Sequence, residues 1–138
     1  MNVLFVSEYC EIYFSPGDDA VVLIWLPENR RMSEPDFKDQ LEALINTIEI
    51  YKPRIVYIDA FEFNYPILNH SINRIIHLLN NVPVEIYGVL NSRHLLGYLV
   101  IKRLIAKIDR DVRVVFFTTL KDRKLRLAEL VGMNVCKL

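Results

Sequence analysis

Cysteine and glycine are scarce in this chain, and neither sign of charge predominates. Its 138 residues include only four glycines, all scattered, so the glycine-rich loops that cradle phosphate groups are missing. The two cysteines, Cys10 and Cys136, have neither Cys-x-x-Cys spacing nor a Cys/His cluster beside them, which predicts reduced thiols, no bound metal and no cofactor. Seventeen basic and seventeen acidic side chains give zero net charge, which argues against a dedicated nucleic-acid binder.

Long apolar runs are missing as well. The longest uncharged run near the start, from Ala20 to Pro27, is far shorter than the ~20 residues that a membrane span needs. The first residues lack a basic region and reach Glu8 too early for a signal peptide. With 52% apolar and 25% charged residues, the composition is that of a globular protein. We therefore expect a single domain over residues 1–138, without a membrane span and in the cytoplasm.

The charge is distributed unevenly along the chain. Residues 1–69 hold 5 basic and 12 acidic side chains, whereas residues 70–138 hold 12 basic and 5 acidic ones. Either the two halves attract each other within one fold, or the surface has two poles that suit head-to-tail association or an anionic partner.

Five β-like runs and four helical patterns follow one another along the chain. The first two runs are separated by Ser15-Pro16-Gly17-Asp18-Asp19, a strong turn signal that predicts an antiparallel hairpin. Ser33 and Asp36 form a capping-box pattern at the start of the first helix, which ends before Pro53. Strands are predicted over about residues 4–14, 20–26, 54–59, 84–90 and 112–117, and helices over about 33–52, 70–80, 95–108 and 119–132.

The order β-β-α-β-α-β-α-β-α predicts an α/β fold with a mixed five-stranded sheet. Right-handed crossovers that always advance to the next strand would place every helix on one face of the sheet. The other face would then be open, as either a partner surface or a solvated or loop-covered face. From the alternation along three strands, the outward set is predicted to be Tyr9, Glu11 and Tyr13, then Glu85, Tyr87 and Val89, then Arg113, Val115 and Phe117.

Four segments together carry a resemblance to a known family. They are Gly17-Asp18-Asp19-Ala20-Val21-Val22-Leu23-Ile24-Trp25, Met32-Ser33-Glu34-Pro35-Asp36-Phe37, Tyr51-Lys52-Pro53-Arg54-Ile55-Val56-Tyr57-Ile58-Asp59 and Val115-Phe116-Phe117-Thr118-Thr119-Leu120-Lys121-Asp122. In this order and spacing, over about residues 8–131, the chain resembles the SpoIIAA-like proteins of the STAS-domain superfamily, and most closely its small single-domain bacterial STAS/SEC14-like branch. The resemblance implies a (βα) superhelix with a leading antiparallel strand, and a regulatory or protein-interaction function.

Anti-sigma antagonists of that superfamily are switched by phosphorylation of a serine in an Asp-Ser-Ser/Thr-Gly motif after the third strand. Asp59 matches the aspartate, but Ala60-Phe61-Glu62 follows it, so the phosphorylatable serine and the glycine are absent. The nearest hydroxyl is that of Ser71, which is a candidate phosphosite or a residue of a helix start. The resemblance therefore implies a module without the usual phosphorylatable serine.

The segment after the third predicted strand supplies the candidate site. Asp59 lies at the carboxyl edge of the sheet, where open α/β folds bind ligands, or it accepts amides of the following loop. Glu62 and Asp59 form a candidate carboxylate pair for acid–base work or for a divalent metal, but no further ligands or nucleophile stand at a definite spacing. Phe61, Phe63 and Tyr65 form an aromatic lid or contact patch, or they pack onto the helices as a satellite core.

Three histidines complete the candidates, without the spacing of a metal site. His70 and His77 are seven residues apart, whereas a zinc pair on one helix has i,i+4 spacing, and His94 lies in the next loop. The segment Asn91-Ser92-Arg93-His94 is expected at the same sheet edge as Asp59 and to line a common crevice with it.

The sequence thus predicts a non-enzymatic module that binds a protein partner, including a second copy of itself as a homodimer. The binding surface would be the open sheet face or the aromatic segment. The alternative is a small hydrophobic ligand or lipid bound in a pocket at the carboxyl edge, beside Asp59 and residues 61–65.

Overall fold

A six-stranded mixed sheet is the centre of the structure, a computed structural model that describes residues 2–108 and 113–117. The strands follow each other in sequence order, with antiparallel pairing up to the third strand and parallel pairing after it. The predicted mixed α/β sheet is confirmed, and the predicted count of five strands is wrong. The strands are β1 (Asn2–Val6), β2 (Cys10–Ser15), β3 (Ala20–Trp25), β4 (Ile55–Asp59), β5 (Ile86–Leu90) and β6 (Arg113–Phe117).

The additional strand arises because the first predicted run folds back on itself at Ser7. The Ser7 hydroxyl accepts hydrogen bonds from the backbone amides of Tyr9 and Cys10, at 3.0 and 3.2 Å. The Ser7 amide donates to the Cys10 carbonyl at 3.0 Å, which closes the turn. A serine side chain that binds the next amides is a standard way to make a tight turn. Residues 2–15 therefore form the β1–β2 hairpin in place of one long strand.

The turn between β2 and β3 is the one that the sequence predicts. Pro16–Asp18 form a single 3₁₀ turn, and the Ser15 hydroxyl donates to the Asp18 carboxylate at 2.7 Å. Asp19 has a φ of 52°, a left-handed conformation that aspartate tolerates better than most residues. The antiparallel β2–β3 hairpin is confirmed.

Three described helices follow the parallel strands. Helix α1 is Glu34–Tyr51, α2 is Asn69–Asn81 and α3 is Leu95–Ala106. In α1 the predicted capping box is present, since the Asp36 amide donates to the Ser33 hydroxyl and the Ser33 amide donates to the Asp36 carboxylate. None of the three combines the length and apolar character of a bilayer-crossing helix. The helix predicted over residues 119–132 lies outside the described residues.

All three helices pack on one face of the sheet. One hydrophobic cluster joins inward residues of each helix, such as Phe37, Ile75 and Ile101, to Leu23 and Val56 of the strands. The predicted outward set is wrong for Tyr9, Tyr87 and Val89, which lie on this helix side. Glu85 precedes β5, and within the strand Tyr87 and Val89 face the helices while Ile86 and Leu90 belong to the opposite face.

The second face carries its own apolar cluster. It contains Ala20, Val22, Ile55, Tyr57, Ile86 and Leu90, with Tyr13, Val115 and Phe117 packed against it, as predicted for the last three. However, this face is not a free surface: Tyr57 is only 2% exposed, and Ile55 and Leu90 are also buried. The expectation of a sheet face open to a partner is therefore wrong.

Candidate functional site

Three connections converge at the carboxyl edge of the parallel strands. They are residues 26–33 after β3, residues 60–68 after β4 and residues 91–94 after β5. Because parallel strands end at the same edge, their following loops come together there, as the sequence predicts for Asp59 and residues 91–94. Residues 60–68 are called the aromatic loop below.

Asn29 fastens the aromatic loop to the segment after β3. Its side-chain amide donates to the carbonyl oxygens of Leu26 and Glu62, at 2.6 and 2.7 Å. Its side-chain oxygen accepts from the Asn64 amide at 2.8 Å. Asn29 is completely buried, so these bonds replace water that cannot reach the three backbone groups. This side chain holds the middle of the aromatic loop in place.

The other side of the aromatic loop lies against the start of α3, where Ser92 forms hydrogen bonds and Gly97 allows close packing. The Ser92 hydroxyl donates to the Phe63 carbonyl at 2.6 Å and accepts from the His94 amide at 3.0 Å. A Cβ atom on Gly97 would stand only 1.8 Å from the same Phe63 oxygen. Glycine is therefore needed here for the close approach of the helix and the loop backbone.

Glu62 is committed to the loop after β5. Its carboxylate forms a two-point ion pair with Arg93, with Nε–Oε1 at 2.5 Å and Nη2–Oε2 at 3.2 Å. His94 Nε2 lies 3.7 Å from the same carboxylate. The Arg93 hydrogen bond is the main cause of the lowered pKa of Glu62. Glu62 therefore connects the aromatic loop to the loop after β5 and is not paired with Asp59 for acid–base chemistry.

Phe63 and Tyr65 belong to the core on the helix side. The Phe63 ring lies 5.1 Å from that of Trp25, and the Tyr65 ring stacks on Phe37 at 4.9 Å. Both side chains are buried, so neither offers a contact patch to a partner. Of the two expectations for these rings, the satellite core describes Phe63 and Tyr65. Phe61 is half-buried and packs against the cluster on the second face, with the Arg93 guanidinium 6.0 Å from its ring centre.

Asp59 is 1% exposed and ends β4 on the second face, beside Ile24 and Leu90 in the strand register. Its Oδ1 accepts a hydrogen bond from the Phe61 amide at 3.2 Å. The alternative in which Asp59 accepts an amide of the following loop is therefore confirmed. The aspartate shapes the first turn of the aromatic loop.

A groove of about 420 Å³ lies between the first turns of α1 and α2. Pro35, Phe37 and Leu41 supply its apolar lining. His70 Nε2 lies 2.5 Å from Glu34 Oε1 across it, and Arg74 lies 3.8 Å from Glu42. Both helices begin at the carboxyl edge of the sheet. The groove is nevertheless not the predicted pocket, because neither Asp59 nor any of residues 61–65 lines it.

Ser71 and the histidines fall around this groove or outside it. Ser71 is half-buried in the third position of α2 and lines the groove. His77 lies on an exposed part of α2, and its backbone oxygen accepts from Asn81. In the described part of the chain, no group of three or more His, Cys, Asp or Glu side chains is placed to hold a metal ion.

Three leucines are exposed on the first turns of α3. Leu95, Leu96 and Leu99 are 75%, 44% and 54% exposed, and they form what we call the leucine patch. Lys102 and Arg103 continue the same side of the helix and are also exposed. The inward side of α3 carries Gly97 and Ile101 instead, both buried. A helix whose outer side begins with leucines is unusual for a solvated surface.

The comparisons with models of known protein families, with curated proteins and with solved structures each find no match.

Sequence reasoning missed Asn29, Gly97 and the leucine patch. Asn29 lies between Pro27 and Arg31 in a stretch without periodicity, so no pattern pointed to it. Gly97 had a signal, since a glycine inside a helical pattern often marks a close backbone approach. The leucine patch had one too. The apolar residues Tyr98, Ile101, Leu104, Ile105 and Ile108 recur at helical spacing and predict the inward side of this helix, and Leu95, Leu96 and Leu99 fall outside that stripe.

Proposed function

We propose that this protein is a non-enzymatic, STAS-type interaction module that binds a protein partner through the leucine patch. The observation that carries the proposal is the exposure of Leu95, Leu96 and Leu99 on adjoining turns of α3. Burying a leucine side chain fully contributes about 1.5–3 kcal/mol, so three adjacent leucines favour a contact that removes them from water. Interfaces place such residues at their centre and polar residues around them.

The rest of the carboxyl edge supports a binding role in place of catalysis. Glu62 is tied to Arg93, and Asp59 accepts a loop amide, so both carboxylates of the predicted pair serve the architecture. These contacts and Asn29 fix the aromatic loop on which the start of α3 rests. A rigid base presents the leucine patch in one orientation, which lowers the entropic cost of binding.

The STAS assignment is supported by the order of elements. The resemblance implies a leading antiparallel strand followed by β-α units that advance in one direction, and strands β2 to β6 with α1 to α3 have this order. The capped start of α1 at Ser33 falls in one of the segments that carry the resemblance.

The proposal is tested by capture from a lysate of the source organism. The immobilised chain is compared with the variant Leu95→Gln/Leu99→Gln and with Val3→Gln/Val6→Gln, whose two valines are similarly exposed on β1. We expect a protein that is retained by the unchanged chain and by the β1 variant, is lost with the α3 variant, and binds again after purification. Equal retention by both variants would contradict the proposal.

A second candidate function is the binding of a small amphipathic molecule in the groove between α1 and α2. The observation that favours it is the groove volume of about 420 Å³, within the range of roughly 300–1,000 Å³ typical of ligand pockets. Its apolar lining from Pro35, Phe37 and Leu41 suits an acyl or aromatic group. The nearby pairs of His70 with Glu34 and of Arg74 with Glu42 suit a polar head group.

Decanoate, a ten-carbon carboxylate, is a direct probe of this candidate. In a nuclear magnetic resonance titration, we expect shifts of backbone signals confined to the first turns of α1 and α2, which Leu41→Asp abolishes. Ile50→Asp, at an exposed position in the last turn of α1 and away from this lining, is the control. The absence of shifts at millimolar decanoate, or shifts unaffected by Leu41→Asp, would reject the candidate.

A further inference from the structure

The outer side of α3 combines an apolar start with a basic continuation. Leu95, Leu96 and Leu99 occupy its first turns, and Lys102 and Arg103 follow on the same side, since residues three and four positions apart are neighbours on a helix. The sequence contains no aspartate or glutamate between residues 86 and 108. A surface that fits this side must supply an apolar recess followed by carboxylates.

The outer side of α1 has that arrangement, in the same direction along the helix. Its first turns border the groove with Pro35, Phe37 and Leu41, and Asp39 and Glu42 are exposed further on. Lys38 also lines the groove and lies, like Arg74, within 4.0 Å of Glu42, but the exposed acids of α1 (Glu34, Asp39, Glu42 and Glu49) outnumber this one lysine. The spacing also agrees. Lys102 is seven residues after the first residue of α3, and Asp39 and Glu42 are five and eight residues after the first residue of α1.

Helix α2 lies between the two complementary sides. Each helix connects neighbouring parallel strands on the same face of the sheet, so α1, α2 and α3 run side by side in one direction. Arg74 is exposed on α2 and is directed to Glu42 of α1, at 3.8 Å. The other exposed residues on the later turns of α2 carry no Lys, Arg, Asp or Glu charge: Asn73, His77, Asn80 and Asn81. A two-fold axis brings each residue that lies on it against its own copy. Residues without a full charge meet their copies there without repulsion.

We propose that two copies of this chain pack helix layer against helix layer, with the two-fold axis along α2. The leucine patch of each copy occupies the groove between α1 and α2 of the other, and Lys102 and Arg103 face Asp39 and Glu42 of the other copy. This inference rests on the proposed function, because it names the partner of the leucine patch. In this dimer the groove between α1 and α2 is occupied by the leucine patch of the other copy. The basic side of α3 faces the acidic side of α1, which accounts for the uneven charge of the chain.

The size of the contact predicts a weak, reversible dimer. From the 12 residues of α3 and a helix spacing of about 8–10 Å, the layer measures roughly 18 by 30 Å. Two such faces would bury about 1,000 Å², the lower limit for a specific interface. The four facing charge pairs also make the association sensitive to salt.

Charge exchange in analytical ultracentrifugation tests the inference with the purified chain. The variant Lys102→Glu/Arg103→Glu makes both facing sides acidic, and Asp39→Lys/Glu42→Lys makes both basic. We expect each variant alone to be monomeric, whereas an equimolar mixture forms a dimer, because only the mixed pair restores opposite charges at both contacts. The control Arg30→Glu/Arg31→Glu changes the net charge equally outside the helix layer and should dimerise like the unchanged chain.

A second variant tests the apolar half of the contact. Leu96→Asp/Leu99→Asp should raise the dimer dissociation constant at least tenfold while the urea midpoint of unfolding stays unchanged. An unchanged chain that is monomeric up to about 300 µM, assemblies larger than a dimer, or a mixture that fails to associate would each overturn the inference. If lysate capture still depends on Leu95 and Leu99 in that case, the proposed function stands with another partner.

Discussion

At the scale of single residues, Asn29 is the side chain on which the candidate site depends most. Its replacement by alanine leaves the carbonyls of Leu26 and Glu62 and the amide of Asn64 without their partners in a buried place. Each unsatisfied buried group costs about 1–3 kcal/mol. We therefore expect Asn29→Ala to lower the free energy of unfolding by roughly 2–4 kcal/mol, after partial relaxation of the loop, as measured by urea denaturation.

Asn46→Ala is the matched control, because Asn46 is exposed on α1. Such surface substitutions usually change stability by no more than about 0.5 kcal/mol. If the two variants unfolded at the same urea concentration, Asn29 would not hold the aromatic loop.

The close contact of α3 with the aromatic loop at Gly97 can be tested by substitution. In Gly97→Ala the new methyl group would overlap the Phe63 carbonyl, which is backbone and cannot rotate away. Overpacking of this kind costs about 1–3 kcal/mol or more, so we expect a clear fall in the melting temperature. Gly17→Ala, at a glycine with free space around it, is the control and should melt like the unchanged chain. Equal melting temperatures would mean that α3 does not pack this closely on the loop.

The burial of Cys10 predicts a low chemical reactivity of its thiol. Burial raises the pKa of its thiol to about 11, and the side chain is fully inaccessible. Thiolate is the reactive form, so at pH 8 the native thiol should react with a disulfide reagent far more slowly than the urea-unfolded chain. The test uses the background Cys136→Ser, so that Cys10 is the only thiol. Similar rates in both states would contradict the burial of Cys10.

The raised pKa of Cys10 also fixes the sign of a pH effect on stability. The folded chain keeps a proton that the unfolded chain releases above its ordinary pKa near 9. This contribution to stability is therefore present below pH 9 and is lost as the pH rises towards 11.

The roles of site residues were less predictable from the sequence than their positions. Asp59 and residues 91–94 meet at the sheet edge as expected, because strand ends fix that place. The burial of Phe63 and Tyr65 depends on contacts with Trp25 and Phe37, which are distant in the sequence. No local pattern distinguishes an aromatic lid from an aromatic core, since the residue types are the same.

At the scale of elements, the start of α1 provides the most specific prediction. Ser33→Ala removes the hydroxyl that accepts the Asp36 amide, and loss of such a cap costs about 1 kcal/mol. Ser33→Asp keeps an acceptor at the same place and should retain most of the stability. The urea midpoints of the two variants check this, and equally destabilised variants would contradict a capping role.

Helices and strands with strong punctuation were found where the sequence predicted them. The Ser33 cap, Pro53 and the turn at Pro16–Asp18 set boundaries that the structure reproduces to within one or two residues. The division of the first run into β1 and β2 was missed, because Ser7 turns the chain through its side chain without a glycine or proline nearby. Which side of β5 faces the helices was also missed, since Tyr87 and Ile86 are both apolar enough for either face.

At the scale of the whole molecule, both faces of the sheet are buried, and the three described helices lie on one of them. Of the surfaces that the structure describes, the outer side of the helix layer is the one we propose for binding, because it carries the exposed leucine patch. On that layer the uneven charge noted in the sequence is divided between two helices. The exposed side of α1 is mainly acidic, and that of α3 is basic. Sequence counting alone could not separate attraction within one fold from attraction between copies, because both use the same charges.

The central claim, that the start of α3 contacts another protein, is tested most directly by photo-crosslinking in cells. A photoreactive amino acid replaces Leu95 in one variant and Ile50 in another, because these side chains are similarly exposed, at 75% and 73%, on different helices. We predict a discrete protein adduct from position 95, with twice the mass of the chain if the partner is a second copy, and none from position 50. No adduct from position 95, or the same adducts from both positions, would contradict the claim.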